Sequence, residues 1–131
     1  MSIGTISPLR PLVLASASPR RAELLRQTTI PFRILPSRAD EHEESFSPTQ
    51  LALELALKKA NEVRSRAEGR WILAADTVVA AGEEILGKPA GKSDAKRMLR
   101  ILSGREHLVT TGFVLTDPAG KTAHREAPVT R

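Results

Sequence analysis

The segment Ser16-Ala17-Ser18-Pro19-Arg20-Arg21 joins a short apolar run to a helix start, and its residue types suggest anion chemistry. Free backbone N–H groups and the positive end of the macrodipole make helix starts ready sites for phosphate. Two arginines in a first turn oppose that dipole, because cations are favoured at the C-terminal end. A bound phosphate would remove the conflict. Side chains bent away into solvent would also relieve it.

Asp76 interrupts the apolar stretch from Trp71 to Val79. An ionised carboxylate is rarely buried without compensation. A metal ion, a positioned water or a neighbouring cation would supply it, as would a structural role at the strand end. Lys59 follows Leu55 by four residues and Ala52 by seven, which places it on or beside the inner face of an amphipathic helix. An inward lysine needs an anion, whereas a snorkelling one needs only the core edge. Lys88, in Gly87-Lys88-Pro89, reads as a cation in a rigid turn that could contact phosphate, although a lone loop lysine is most often just solvated. Asp40-Glu41 could supply a metal carboxylate, although acidic runs are commonly just solvated.

Other signals fail on spacing. The run from Gly87 to Ser93 resembles a phosphate-binding loop but is one residue short, with Leu86 where the first glycine is required. There is no G-x-G-x-x-G motif. His42, His107 and His124 share no metal-ligand spacing.

Elements must position these groups. Leu12–Ala17 reads as a buried strand, and Ser18-Pro19 as the cap and first residue of a helix reaching about Gln27, with Leu24 and Leu25 inward. Phe32–Leu35 is a second strand, and the polar stretch 36–46 a loop. Ser47-Pro48-Thr49-Gln50 is a capping box opening a helix to about Arg66. Trp71–Ala81 and Glu84–Leu86 are strands, and Ser93 caps a third helix ending near Leu102. His107–Thr116 is a strand, 117–120 a turn and the remainder a partner strand. Strands alternating with helices predict an α/β class.

The composition narrows the partners. Twenty Lys and Arg against fifteen Asp and Glu give a net charge of +5, which suits polyphosphates or nucleic acid. Aromatics are only 3%, with no Tyr, and this disfavours nucleic-acid stacking surfaces. Without cysteine, disulfides, thiol nucleophiles and Cys-zinc sites are excluded. No signal-peptide core or membrane span is evident, so a cytoplasmic protein without a membrane partner is the expectation.

Residues 14–25, Leu-Ala-Ser-Ala-Ser-Pro-Arg-Arg-Ala-Glu-Leu-Leu, resemble the opening signature of the Maf nucleotide pyrophosphatases, also called septum-formation proteins. Similarity continues through Asp40-Glu41, Leu55–Ala60, Ala75–Val79, Gly87-Lys88-Pro89 and Leu102–His107, in family order and over essentially the whole chain after Pro11. The resemblance implies a short extension (residues 1–10), then a Maf-like domain (11–131). The implied fold is a mixed twisted sheet with flanking helices, related to the inosine-triphosphate pyrophosphatases. It also implies hydrolysis of a nucleoside triphosphate to monophosphate and pyrophosphate, with Mg²⁺ or Mn²⁺.

In that family pattern Asp76 falls at the catalytic acid and Glu41 at the second acid, the two expected metal ligands. Arg21, Lys59 and Lys88 match phosphate-contacting cations, and Ser16 and Ser18 the phosphate-loop serines. Arg20 and Thr77 resemble the branch acting on dTTP and UTP, where the 7-methyl-GTP branch carries Trp and Gln; Arg20 is expected at the phosphates as well. The family's Ile-Gln-Gly segment has no counterpart here, so the fold is expected to be C-terminally incomplete, turnover slow or absent, and self-association, such as a homodimer, favoured. A non-catalytic nucleotide-binding fragment and a basic nucleic-acid-binding domain are the alternatives.

Overall fold

Apolar runs separated by capping signals give three helices and seven strands among the residues described by the computed structural model, which are 5–38, 47–67, 69–81, 84–86, 91–103 and 107–130. In chain order they are β1 Leu12–Ala15, α1 Pro19–Arg26, β2 Phe32–Ile34, α2 Pro48–Arg64, β3 Ile72–Ala81, β4 Glu84–Leu86, α3 Lys92–Ser103, β5 His107–Thr116, β6 Thr122–Glu126 and β7 Val129–Thr130. The expected α/β alternation holds.

The sheet runs β2-β1-β3-β5-β6, with β4 added beside β3 and β7 beside β5. It is mixed: β2, β1 and β3 are parallel, whereas β3, β5 and β6 are antiparallel. Parallel neighbours need a crossover, and α1 and α2 provide the two connections.

Two helix starts are capped by the expected serines, although the Gln50 side chain donates to Glu54 Oε1 instead of completing the capping box. Ser18 Oγ accepts from the Arg21 N–H (3.3 Å) and Ser47 Oγ from the Gln50 N–H (3.0 Å), each with proline next in the chain. Other boundaries shift. β1 ends at Ala15, so Ser16 and Ala17 belong to the connection. β2 stops one residue before Leu35, β3 starts one after Trp71, and α2 stops at Arg64. Ser93 lies inside α3, because the helix already begins at Lys92 and Ala95 N–H bonds the Gly91 carbonyl. Leu24, expected inward, is 56% exposed; the short α1 buries Ala22 instead.

α2 supplies the main core against one sheet face. Val13, Ala15, Ile72 and Ala74 pack with Ala60, Val63 and Ala67, while Val78 meets Leu51, Ala52 and Leu55. The helix lies unusually low over β5 because Gly112 has no side chain. A Cβ there would fall 2.5 Å from the backbone carbonyl carbon of Ala52. The far end of α2 is anchored by Arg66, which donates to Glu62 and to the Pro36 carbonyl. Glu62 also accepts from the Arg38 N–H, and its carboxyl is held below the ordinary 4.5, first by Arg66 and then by Arg38.

The opposite face carries α1 over an apolar cleft of about 190 Å³ lined by Leu14, Leu24, Leu25, Leu73 and Phe113. The β5–β6 turn is closed by Asp117, whose Oδ1 accepts from the N–H groups of Ala119 and Lys121 (2.9 Å each). Gly120 adopts φ +85°, a left-handed conformation that glycine accepts without strain.

One feature of the sheet positions the site. β5 pairs with β3 along its whole length. On the other edge β1 covers residues 72–74 and β4 covers residues 79–81. Among the described residues this leaves a gap beside Ala75–Val78, at the carboxyl end of β1. Crevices at the carboxyl ends of strands are the usual ligand sites of such sheets.

Candidate active site

Asp76 and Thr77 are consecutive in β3 at this gap, so their side chains leave on opposite sheet faces. Asp76 projects toward α2, where Lys59 Nζ donates to its Oδ1 at 2.6 Å. The two side chains are each 14% exposed. Lys59 Nζ also reaches the Ala75 carbonyl at 3.4 Å. The compensation required for a half-buried carboxylate is therefore a neighbouring cation. Lys59 points inward as its spacing allowed, and its contact is an anion.

Thr77 projects toward α1. Arg21 Nη2 donates to Thr77 Oγ1 at 2.8 Å, crossing 56 residues of sequence. One of the paired arginines thus folds over the sheet instead of pointing away from it, while Arg20 is exposed on the same turn. Thr77 Oγ1 also shares a hydrogen bond with Thr111 Oγ1 at 3.0 Å. Ser16 is buried, and its Oγ accepts from the Ser18 N–H at 3.1 Å. The two serine oxygens hold the turn between β1 and α1, and each hydroxyl keeps a proton to donate.

The candidate residues divide between the two faces of the sheet at this point. Asp76 and Lys59 approach from the α2 side, and Arg21 and Thr77 from the α1 side, with Ser16 and Ser18 on the connection leaving β1. Glu41 and Lys88 lie outside the described residues. Among the described residues no group of three or more His, Asp or Glu side chains converges. Asp76 presents a carboxylate at the gap. With Oδ1 engaged by Lys59, its second oxygen carries the remaining acceptor capacity.

Thr111 and Gly112 were not singled out by the sequence pattern. Both lie in Thr110-Thr111-Gly112, a break in the apolar run of β5. That break was the available signal, but only the register, with Thr111 opposite Thr77 and Gly112 opposite Asp76, gives it meaning.

The mixed sheet with its flanking helices places the chain in the α/β class. A solved nucleoside-triphosphatase, described as a dITP/XTP pyrophosphatase from Mycobacterium abscessus, superposes with a TM-score of 0.52 over 92% of this chain and 71% of that one, at 18% identity. At that identity the likeness speaks to the fold. The family described as Maf-like protein matches residues 11–131, and the chain belongs to it. A dTTP/UTP pyrophosphatase of Thermococcus kodakarensis is 51% identical over 105 residues, covering 79% of this chain and 56% of that protein. One from Symbiobacterium thermophilum is 45% identical over 124 residues, covering 94% and 64%. The chain thus spans somewhat more than half the length of these relatives.

Proposed function

We propose that this protein hydrolyses nucleoside triphosphates to the monophosphate and pyrophosphate, with dTTP and UTP preferred. The observation that carries the reading is the Asp76–Lys59 pair at the sheet gap, one residue from the Thr77 hydroxyl that receives Arg21. An acid and an arginine from a helix start thus meet β3 at consecutive residues. The names of the relatives, dTTP/UTP pyrophosphatases at 45–51% identity, support the same chemistry and base preference.

In this reading the triphosphate lies across the gap with its charge toward the start of α1, where the helix dipole and the Arg21 guanidinium receive it. Arg20 and Lys88 add positive charge. Ser16 and Ser18 donate their hydroxyl protons to phosphate oxygens. Lys59 fixes the orientation of the Asp76 carboxylate through Oδ1 and adds charge near the leaving group. The second Asp76 oxygen takes a proton from water as that water bonds to the α-phosphorus. The bond from the α-phosphorus to the bridging oxygen breaks, and the electron pair leaves with pyrophosphate. Thr77 and Arg20 favour the pyrimidine base.

Mg²⁺ needs only one or two carboxylates when substrate phosphates complete its shell, so Asp76 would suit Mg²⁺ or Mn²⁺ as one donor, with Glu41 the second that the family resemblance implies. Such an ion would neutralise charge on the departing pyrophosphate. Among the described residues no helix is long and apolar enough to cross a membrane, and free nucleotides of the cytoplasm are the proposed substrates.

The test is release of pyrophosphate from a panel of nucleoside triphosphates with Mg²⁺ or Mn²⁺. Preferential release from dTTP and UTP supports the reading. Binding without turnover would identify a nucleotide-binding fragment, and a clear purine preference would remove the base assignment.

A further inference from the structure

We infer that Thr111 is a positioning residue, which through Thr77 fixes the Arg21 guanidinium over the gap. The argument begins with the sheet face beneath α1. Leu73, Ala75 and Phe113 line the apolar cleft there, and alternation places Thr77 and Thr111 next on the same face. They are direct cross-strand partners, so the face changes from apolar to hydroxyl-bearing at a single pair. That pair lies where Arg21 crosses from the helix.

A threonine hydroxyl can donate one hydrogen bond and accept two. Thr77 Oγ1 can therefore receive Arg21 at 2.8 Å and still share a hydrogen bond with Thr111 at 3.0 Å, whichever hydroxyl donates. The second bond matters because Thr77 is exposed. An exposed threonine has more than one staggered χ1 position, and only one turns Oγ1 toward Arg21. Thr111 selects that one. It does so from β5, on the side of β3 away from the gap, and is placed to act on a ligand through Thr77 and Arg21.

The site's nucleotide role rests on the proposed function, but the hold on Arg21 can be read without it. Three proteins are compared: the unaltered chain, Thr111→Val, which keeps the β-branched shape, and Thr111→Ser, which keeps the hydroxyl. The Arg21 guanidinium N–H signals are followed by ¹⁵N NMR, and inorganic pyrophosphate binding by calorimetry. The expected result is a restrained Arg21 signal in the unaltered and Ser proteins that is lost in Val. Pyrophosphate affinity should fall about threefold to tenfold in Val alone, and not at all when the same change is made in an Arg21→Met background.

An unchanged Arg21 signal in Thr111→Val would overturn the inference. So would equal losses in Val and Ser, or a loss that persists without Arg21. If the NMR pattern holds while the unaltered chain binds no pyrophosphate, the positioning of Arg21 stands and the nucleotide reading falls.

Discussion

Lys59 Nζ lies 2.6 Å from Asp76 Oδ1, joining α2 to the middle of β3 through two side chains that are each 14% exposed. Each charge compensates the other in a place where water reaches only part of either group. Removing one partner should therefore cost more than a surface ion pair would. Lys59→Met is expected to lower unfolding stability by about 1–3 kcal/mol, read as a lower urea midpoint with an unchanged slope. The double change Lys59→Met with Asp76→Leu should recover part of that loss. No recovery would mean that the lysine acts through packing rather than charge.

Gly112 sets the distance between α2 and the sheet. Gly112→Ala would place a methyl 2.5 Å from the Ala52 carbonyl carbon, against backbone that has no rotamer to yield. A destabilisation of about 1–3 kcal/mol is expected. Thermal unfolding checks it, and an unchanged midpoint would contradict so close an approach of helix and strand.

Ser18 caps α1 through its bond to the Arg21 N–H. Ser18→Ala should cost about 1 kcal/mol. Because the residue bonded is also the one that reaches Thr77, pyrophosphate affinity should fall in the same variant. Ser18→Asp should keep the cap while repelling the anion, so stability and affinity separate in a pairwise comparison of the two variants.

Glu62 gives a pH signature. Its carboxyl is held below 4.5 in the folded chain by Arg66 and Arg38, so the folded state binds its proton less readily than the unfolded state. The stabilisation is therefore fully present above the ordinary value of 4.5 and is lost as pH falls through the lowered one. Unfolding of the unaltered chain and Glu62→Gln should differ near neutrality and converge under strong acid. A difference constant across that range would show that the Arg66 and Arg38 contacts do not depend on the charge.

Much of the site was legible because its residues break local rules. Arg20-Arg21 sits at the wrong end of a helix dipole, Asp76 lies in an apolar strand, and Lys59 falls on an inner helical face. Each conflict requires a partner, and for Asp76 and Lys59 the partner is the other. The strand order was not legible, because nothing local in Val13 or Phe113 says which neighbour pairs with β3. The gap beside Ala75–Val78 depends on where β1 stops and β4 starts, and boundaries shifted by one or two residues at several elements. Thr111 and Gly112 acquire their roles only through register with Thr77 and Asp76.

The most direct test of the central claim is release of pyrophosphate from dTTP with Mg²⁺, measured for the unaltered chain and for Asp76→Asn. The amide is nearly the same size and still hydrogen-bonds, but it cannot take the proton of an attacking water. The expected result is one pyrophosphate per dTMP formed by the unaltered chain. Asp76→Asn should retain the folded circular-dichroism spectrum with a rate lower by about 100-fold or more. Orthophosphate in place of pyrophosphate would contradict attack at the α-phosphorus, and an Asn variant within a few-fold of the unaltered rate would contradict Asp76 as the group that activates water.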